Sequence, residues 1–218
     1  MNRFLRSSRI QGIALALAVA VSGVAGAAES ESLVPDAKTM TRLLAGEWVL
    51  ESASSDENGA AAGILIFVRA PVESVWRIIT SCHYAQVFVA GMEYCEVVQD
   101  SGSYAVTRQV VDKGWMMPRM DYVFETRREP WNHMEFNLLE GNLKTLRGTW
   151  DFSALPGGTL VRHYLVLKPS VPAPRWLVRR NLRRDLPAML QCIRGLADGS
   201  GTAEQQAGDL DQCPGELP

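Results

Sequence analysis

The chain has 218 residues, of which 47% are hydrophobic and 21% charged, with a formal net charge of −2. Those proportions exclude a disordered or fibrous protein and allow a sizeable core, most simply in one domain. A near-neutral to acidic balance also argues against nucleic acid as a partner.

Arg3, Arg6 and Arg9 precede an apolar run over residues 13–21 that gives way to small residues through Ala28. That order is the pattern of a secretory signal peptide, here residues 1–28, with cleavage after Ala27 or Ala28. The run is too short to span a bilayer, and no cysteine follows it to carry a lipid. The expected mature protein is therefore exported, periplasmic and soluble. Removing the peptide leaves 19 basic against 24 acidic side chains, a formal charge of −5.

Residues 29–45 form an N-terminal segment in which residues 35–44 read as a short helix ended by Gly46. Residues 47–53 and 63–69 read as strands, joined by a polar, turn-rich connection over 54–59. Val72, Val75, Trp76 and Ile79 then recur at helical spacing behind Pro71, which suits the first turn of a helix. Residues 83–89 add a further helical turn. Strand-like runs follow over 94–99, 103–112, 120–128, 133–139, 145–154 and 159–168, separated by turn signals as in an antiparallel meander.

Alternation marks one dry face in the later strands. Met134, Phe136 and Leu138 share it with Leu146, Gly148, Trp150 and Phe152, and with Val161, His163, Leu165 and Leu167. The longest amphipathic stretch is residues 174–197, where Val178, Leu182, Leu186, Met189, Ile193 and Leu196 recur at three- and four-residue steps. A helix of that length spans about 34 Å. Arg175, Arg179, Arg180, Arg183 and Arg184 crowd its other side. Pro187 lacks an N–H, so a kink is expected there, with Asp185 capping the second half. Residues 198–218 are small, polar and Gly-rich and read as an irregular tail.

Cys82, Cys95, Cys192 and Cys213 all lie in the mature part. An even number in an oxidising compartment favours disulfides. Of three possible pairings, Cys82 with Cys95 and Cys192 with Cys213 is the expected one, because each closes a short loop and the second ties down the tail. A zinc site from Cys82, His83 and Cys95 is the sharp alternative. It lacks metal-ligand spacing, and neither a metal nor another cofactor is expected.

Taken in order, a strand, Ala70-Pro71, a helix with Val75-Trp76, a long antiparallel meander, a Gly148-x-Trp150 strand and a long C-terminal helix resemble the START-like (SRPBCC) superfamily. The chain is most similar to its polyketide cyclase/dehydrase and lipid-transport branch, over residues 46–197. The resemblance implies an α+β, helix-grip fold in which a curved antiparallel β-sheet wraps a long C-terminal α-helix. It also implies a cavity between them for an apolar or amphipathic ligand. Its motifs are structural and carry no catalytic residues.

No nucleophile elbow, phosphate loop or zinc-protease pattern is present, and no catalytic residue is assigned. In a helix-grip fold the cavity would lie between the helix and the dry face with Phe136, Leu138, Trp150, His163 and Leu165, and Leu186 and Leu190 would form its helical wall. A bulky residue at position 148, as in Gly148→Leu, is expected to fill that space and leave a folded protein. Of His83, His133 and His163, only the last is expected to point inward, as a hydrogen-bonded core residue or a ligand contact. Arg108 either faces the cavity, to bind a carboxylate or phosphate, or makes an outward salt bridge.

Trp115, Met116 and Met117 fall in a hairpin tip, either as a lid or membrane-dipping foot at the cavity entrance or as core packed on the long helix. Arg179 and Arg183 belong to a basic run that is either a solvated face or a peripheral contact for an anionic membrane. Three classes of function follow. The leading one is a periplasmic carrier for a lipid, sterol-like molecule or quinone, with a cyclase/aromatase-type enzyme second and a non-catalytic envelope adaptor third. A cavity lined only by carbon favours the carrier, polar groups converging inside it favour the enzyme, and a filled core favours the adaptor. The sequence sets no oligomeric state.

Overall fold

A computed structural model of the protein describes residues 35–56, 59–114, 117–170, 174–198 and 213–214. Helix α1 (Ala37–Leu44) starts at Asp36, whose side chain accepts from the N–H groups of Lys38 and Thr39. It ends at Gly46, which takes the left-handed conformation with φ 89°. Its buried residue, Leu43, packs with Leu65, Phe67 and Leu160 on the outer face of the sheet.

Strands β1 (Trp48–Asp56) and β2 (Gly59–Val68) pair until Asp56 lies opposite Gly59. The expected turn over 54–59 is thus mostly strand, and β2 begins four residues before the expected start at residue 63. Small side chains are what the position requires: Ala60 and Ala62 are buried and lie opposite Leu167 and Leu165. Helices α2 (Val72–Ile79) and α3 (Cys82–Phe88) follow, and then six consecutive strands. These are β3 (Met92–Asp100), β4 (Tyr104–Val111), β5 (Met120–Glu129), β6 (His133–Gly141), β7 (Leu143–Leu155) and β8 (Gly158–Pro169). All pairings are antiparallel, in the order β1-β2-β8-β7-β6-β5-β4-β3.

The last element, α4 (Arg175–Ala197), lies on the inner face of the sheet and touches β1, β2, α2 and α3. Val178, Leu182, Leu186, Leu190 and Ile193 on one stripe are buried. Each such aliphatic side chain contributes about 1.5–3 kcal/mol when fully covered. This is the α+β helix-grip architecture expected from the sequence. The helix continues through Pro187. Asp185 does not cap a second half, since its carboxylate accepts from Lys113 Nζ and Arg184 Nε. Beyond Pro187 the helix is tied down twice: Arg194 donates to the carbonyl of Gly46 at 2.7 Å, and Cys192 is bonded to Cys213.

Both expected disulfides, Cys82 to Cys95 and Cys192 to Cys213, are present. The first uses up the two thiols of the zinc alternative. Gly148 of β7 lies between Phe136 of β6 and Leu165 of β8. A Cβ there would lie 2.1 Å from the backbone oxygen of Tyr164 and 2.5 Å from Phe136 Cζ. Gly148→Leu therefore strikes backbone before it reaches open space, which corrects the expectation of a folded variant. Among the described residues no helix is long and apolar enough to cross a membrane.

Candidate functional site

Every strand facing α4 contributes alternate residues to the concave side. Between them and the helix is a cavity of about 220 Å³. Its wall takes Thr107, Gln109 and Val111 from β4, then Met120, Tyr122, Phe124, Thr126 and Arg128 from β5. It continues with Met134 and Phe136, Leu146 and Trp150, and His163, Leu165 and Leu167 from the next three strands. Helix α4 supplies Val178, Asn181, Leu182, Asp185, Leu186 and Met189. One register row beyond Trp150, Phe152 meets Trp76, which in turn meets Trp131 at 5.7 Å between ring centroids, so three aromatic rings pack beyond the cavity there.

The wall is apolar with polar groups set into it. His163 is buried and stacked on Trp150, with 3.7 Å between ring centroids. Its Nδ1 lies 2.9 Å from the carbonyl oxygen of Thr149. A carbonyl only accepts, so Nδ1 carries the proton and Nε2 keeps its lone pair. Burial pushes the imidazole down to about 4, against a smaller opposing effect of the Thr149 bond. The ring is neutral at pH 7. Tyr122 donates to Gln109 Oε1 at 2.9 Å, and burial pushes its phenol up, so it too stays neutral. Among the described residues, Gln109 Nε2 has only the sulfur of Cys95, 3.7 Å away, as its partner.

At the end of the inner stripe of β5, Arg128 has a side chain 8% exposed. Its Nη1 donates to Asp100 Oδ2 at 2.9 Å, while Nε is buried with no hydrogen-bond partner among the described residues. The Gly102 N–H and Arg128 together hold the Asp100 carboxyl below the ordinary range.

At the other end, Lys113 and Met117, from the connection between β4 and β5, line the cavity. Met117 is buried, and Lys113 pairs with Asp185 of α4. The Cys82–Cys95 disulfide fastens α3 to β3 in the same wall. Arg179, Arg180, Arg183 and Arg184 point outward on α4, beside Trp176, whose side of the helix leaves it 59% exposed.

Of the residues singled out by sequence, Phe136, Trp150, His163, Leu165 and Leu186 line the cavity together with Met117. Leu138 packs against the core and Leu190 is completely buried, and neither lines it. Trp115 and Met116 lie outside the described residues. Arg108 is on the opposite face. Its Nε and Nη2 donate to the two oxygens of Asp121 at 3.1 and 2.8 Å, and its guanidinium covers the ring of Tyr94. The outward salt bridge is therefore the correct alternative, since alternation that turns Thr107 and Gln109 inward must turn Arg108 out. Sequence reading missed Thr107, Gln109, Tyr122, Thr126 and Arg128. The signal was there at two-residue spacing in β4 and β5, but polar side chains on the inner stripe disguised it.

The sequence profile of the family described as "Polyketide cyclase / dehydrase and lipid transport" matches residues 68–194. Among curated protein sequences none matches the chain. Several solved structures share the fold. A Thermus thermophilus protein, TTHA0849, is 21% identical at a TM-score of 0.57, over 65% of this chain and 99% of its own. A STAR-related lipid transfer protein from Xanthomonas axonopodis is 12% identical at 0.58, over 67% of this chain and 96% of its own. The Zhui aromatase/cyclase from a Streptomyces species, R1128, is 18% identical at 0.51, over 66% of this chain and 96% of its own.

Proposed function

The chain belongs to the polyketide cyclase / dehydrase and lipid transport family, and from that premise we propose that it is an exported, periplasmic carrier for an apolar or amphipathic small molecule. The observation that supports this most is the cavity itself, about 220 Å³ between α4 and the sheet, walled chiefly by apolar side chains. Burial of apolar surface supplies the driving force for such a ligand, and a few polar groups orient it. In this reading residues 1–28 are the export signal, 29–45 a lead-in segment, 46–197 the ligand-binding domain and 198–218 the tail. The outward arginines of α4 with Trp176 form a peripheral contact for an anionic membrane, from which the ligand is collected.

A second reading, a cyclase/aromatase-type enzyme working in the same cavity, has one specific observation in its favour. The wall is not carbon alone: Gln109, Tyr122 and His163 put an amide, a phenol and an imidazole lone pair on it. The basicity of a buried imidazole at about 4 makes it a weak proton acceptor at neutral pH. That weighs toward positioning over chemistry.

The test is native mass spectrometry of the mature protein isolated from its own cell envelope, followed by extraction and identification of the bound molecule. The carrier reading expects an unmodified lipid-like ligand that is retained on isolation and lost in Leu165→Trp, a variant that fills the cavity. A bound species that the wild type converts and His163→Gln does not would establish the enzyme instead. An empty protein that binds no apolar molecule overturns both.

A further inference from the structure

We infer that Arg128 is the anchor of an anion-binding subsite, and that the ligand is an amphipathic carboxylic acid whose carboxylate pairs with this guanidinium while its apolar chain runs toward α4. The inference rests on the cavity reading above and names the chemistry of its ligand.

Arg128 is the last inward residue of β5, in the register row that continues through Met134, Trp150 and His163. Its side chain is more than nine-tenths buried and lines the cavity. A guanidinium in such a place needs its N–H groups satisfied, because a buried charged donor without an acceptor is among the most costly of unpaired groups. Among the described residues Arg128 has one contact of this kind, from Nη1 to Asp100, and Nε has none. Asp100 divides itself between Arg128 and the Gly102 N–H, 2.8 Å away, and its side chain is 45% exposed. The counter-charge thus sits on the solvent side and leaves Nε, a buried donor, without an acceptor among the described residues.

Neighbouring groups favour an acceptor there. Thr126, also buried, precedes Arg128 on the stripe and lines the same wall. His163 and Tyr122 carry no charge at neutral pH, and Lys113 is paired with Asp185. A guanidinium offers parallel N–H bonds that fit the two oxygens of a carboxylate. Asp100 engages Arg128 through Nη1 alone, so a carboxylate brings a charged acceptor to the donor that Asp100 leaves unserved. A phosphate dianion would carry a second charge into a chiefly apolar wall, and an alcohol would offer only one uncharged oxygen.

Binding of dodecanoate, 1-dodecanol and dodecyl phosphate to the full mature protein, measured by calorimetry at pH 7.5, tests the assignment. Dodecanoate should bind about tenfold or more tighter than the alcohol, and the phosphate should bind no better than the acid. In Arg128→Met the preference for acid over alcohol should fall to about twofold or less, with alcohol affinity retained. A measurement on the wild type alone covers the case in which that variant does not fold. The carboxyl resonance of bound [1-13C]dodecanoate should titrate at lower pH than that of the free acid, because Arg128 stabilises the ionised form. Equal affinity for acid and alcohol, a preference that survives in Arg128→Met, tighter binding of the phosphate, or an unshifted carboxyl titration would each overturn the subsite and leave the cavity reading standing. Failure of all three chains to bind overturns both.

Discussion

Acid should weaken this protein through His163 before it reaches the carboxylates. The imidazole is buried, stacked on Trp150, and held neutral with a pKa of about 4 in place of the ordinary 6.5. In the unfolded chain it would take up a proton below the ordinary value, whereas the folded protein resists until the lower one. The contribution is therefore fully present above pH 6.5 and is lost as the pH falls toward 4. The gap corresponds to about 3 kcal/mol, of which about 2 kcal/mol is gone by pH 5. Urea unfolding followed by tryptophan fluorescence, which Trp150 reports directly, gives the measurement at pH 7.5, 6 and 5. His163→Gln removes the titration, and its stability should change little over that interval. Asp36, Asp100 and Asp121 are held below their ordinary values by hydrogen bonds to Thr39, Gly102 and Arg108 respectively, so their losses come at lower pH and are common to both proteins. Equal pH dependence in wild type and variant would refute the reasoning, as would a proton on both nitrogens of His163 at pH 6 in an NMR titration.

Gly148→Ala should lower stability by about 1–3 kcal/mol or more, read as a drop in thermal midpoint, because its Cβ meets the Tyr164 carbonyl and not a movable side chain. An unchanged midpoint would show that β7 and β8 separate freely at that point. Thiol titration of the unfolded, unreduced protein should find no free cysteine, and Cys82→Ala/Cys95→Ala should cost about 2–5 kcal/mol in urea. If the arginines of α4 contact an anionic membrane, flotation with anionic vesicles should weaken in Arg179→Glu/Arg183→Glu and in moderate salt, by about 1 kcal/mol for each arginine lost. Vesicle association indifferent to both changes would return these residues to a solvated face.

The parts of the molecule legible in the sequence are those where one physical preference acted alone. Helix α2 was plain, because Val72, Val75, Trp76 and Ile79 make a single stripe behind a proline that cannot donate, although Pro71 caps the helix and does not sit in its first turn. The stripe of α4 and the dry faces of β6, β7 and β8 were equally plain, since nothing but the core selects them. Strand β4 was placed at 103–112 and is found at Tyr104–Val111, but which of its faces points inward was not legible, and the reason lies in the site. Its inward stripe carries Thr107 and Gln109 while its other stripe carries Val106 and Val110, so the usual rule that the apolar side faces inward gives no answer. A cavity that holds polar groups erases the pattern by which its own wall would be found. Ala60, Ala61 and Ala62 were hidden for a different reason: small residues between glycines suggest a turn, yet here they are what fits beneath β8.

Pro187 divides α4 into halves with unequal tethers. After it, Leu190 and Ile193 are wholly enclosed, Arg194 holds the carbonyl of Gly46, and Cys192 is covalently fastened. Before it, the ion pair from Lys113 to Asp185 and the stripe of Val178, Leu182 and Leu186 hold the helix over the cavity. The ring of Pro187 cannot donate to the carbonyl of Arg183, so the ladder lacks a rung where the halves meet. If the cavity carries a ligand as proposed, the missing rung is the weakest point of α4 beside it, and among the described residues the Lys113–Asp185 pair is a contact that lifting the first half would break. A local opening of that kind costs less free energy than unfolding the whole protein.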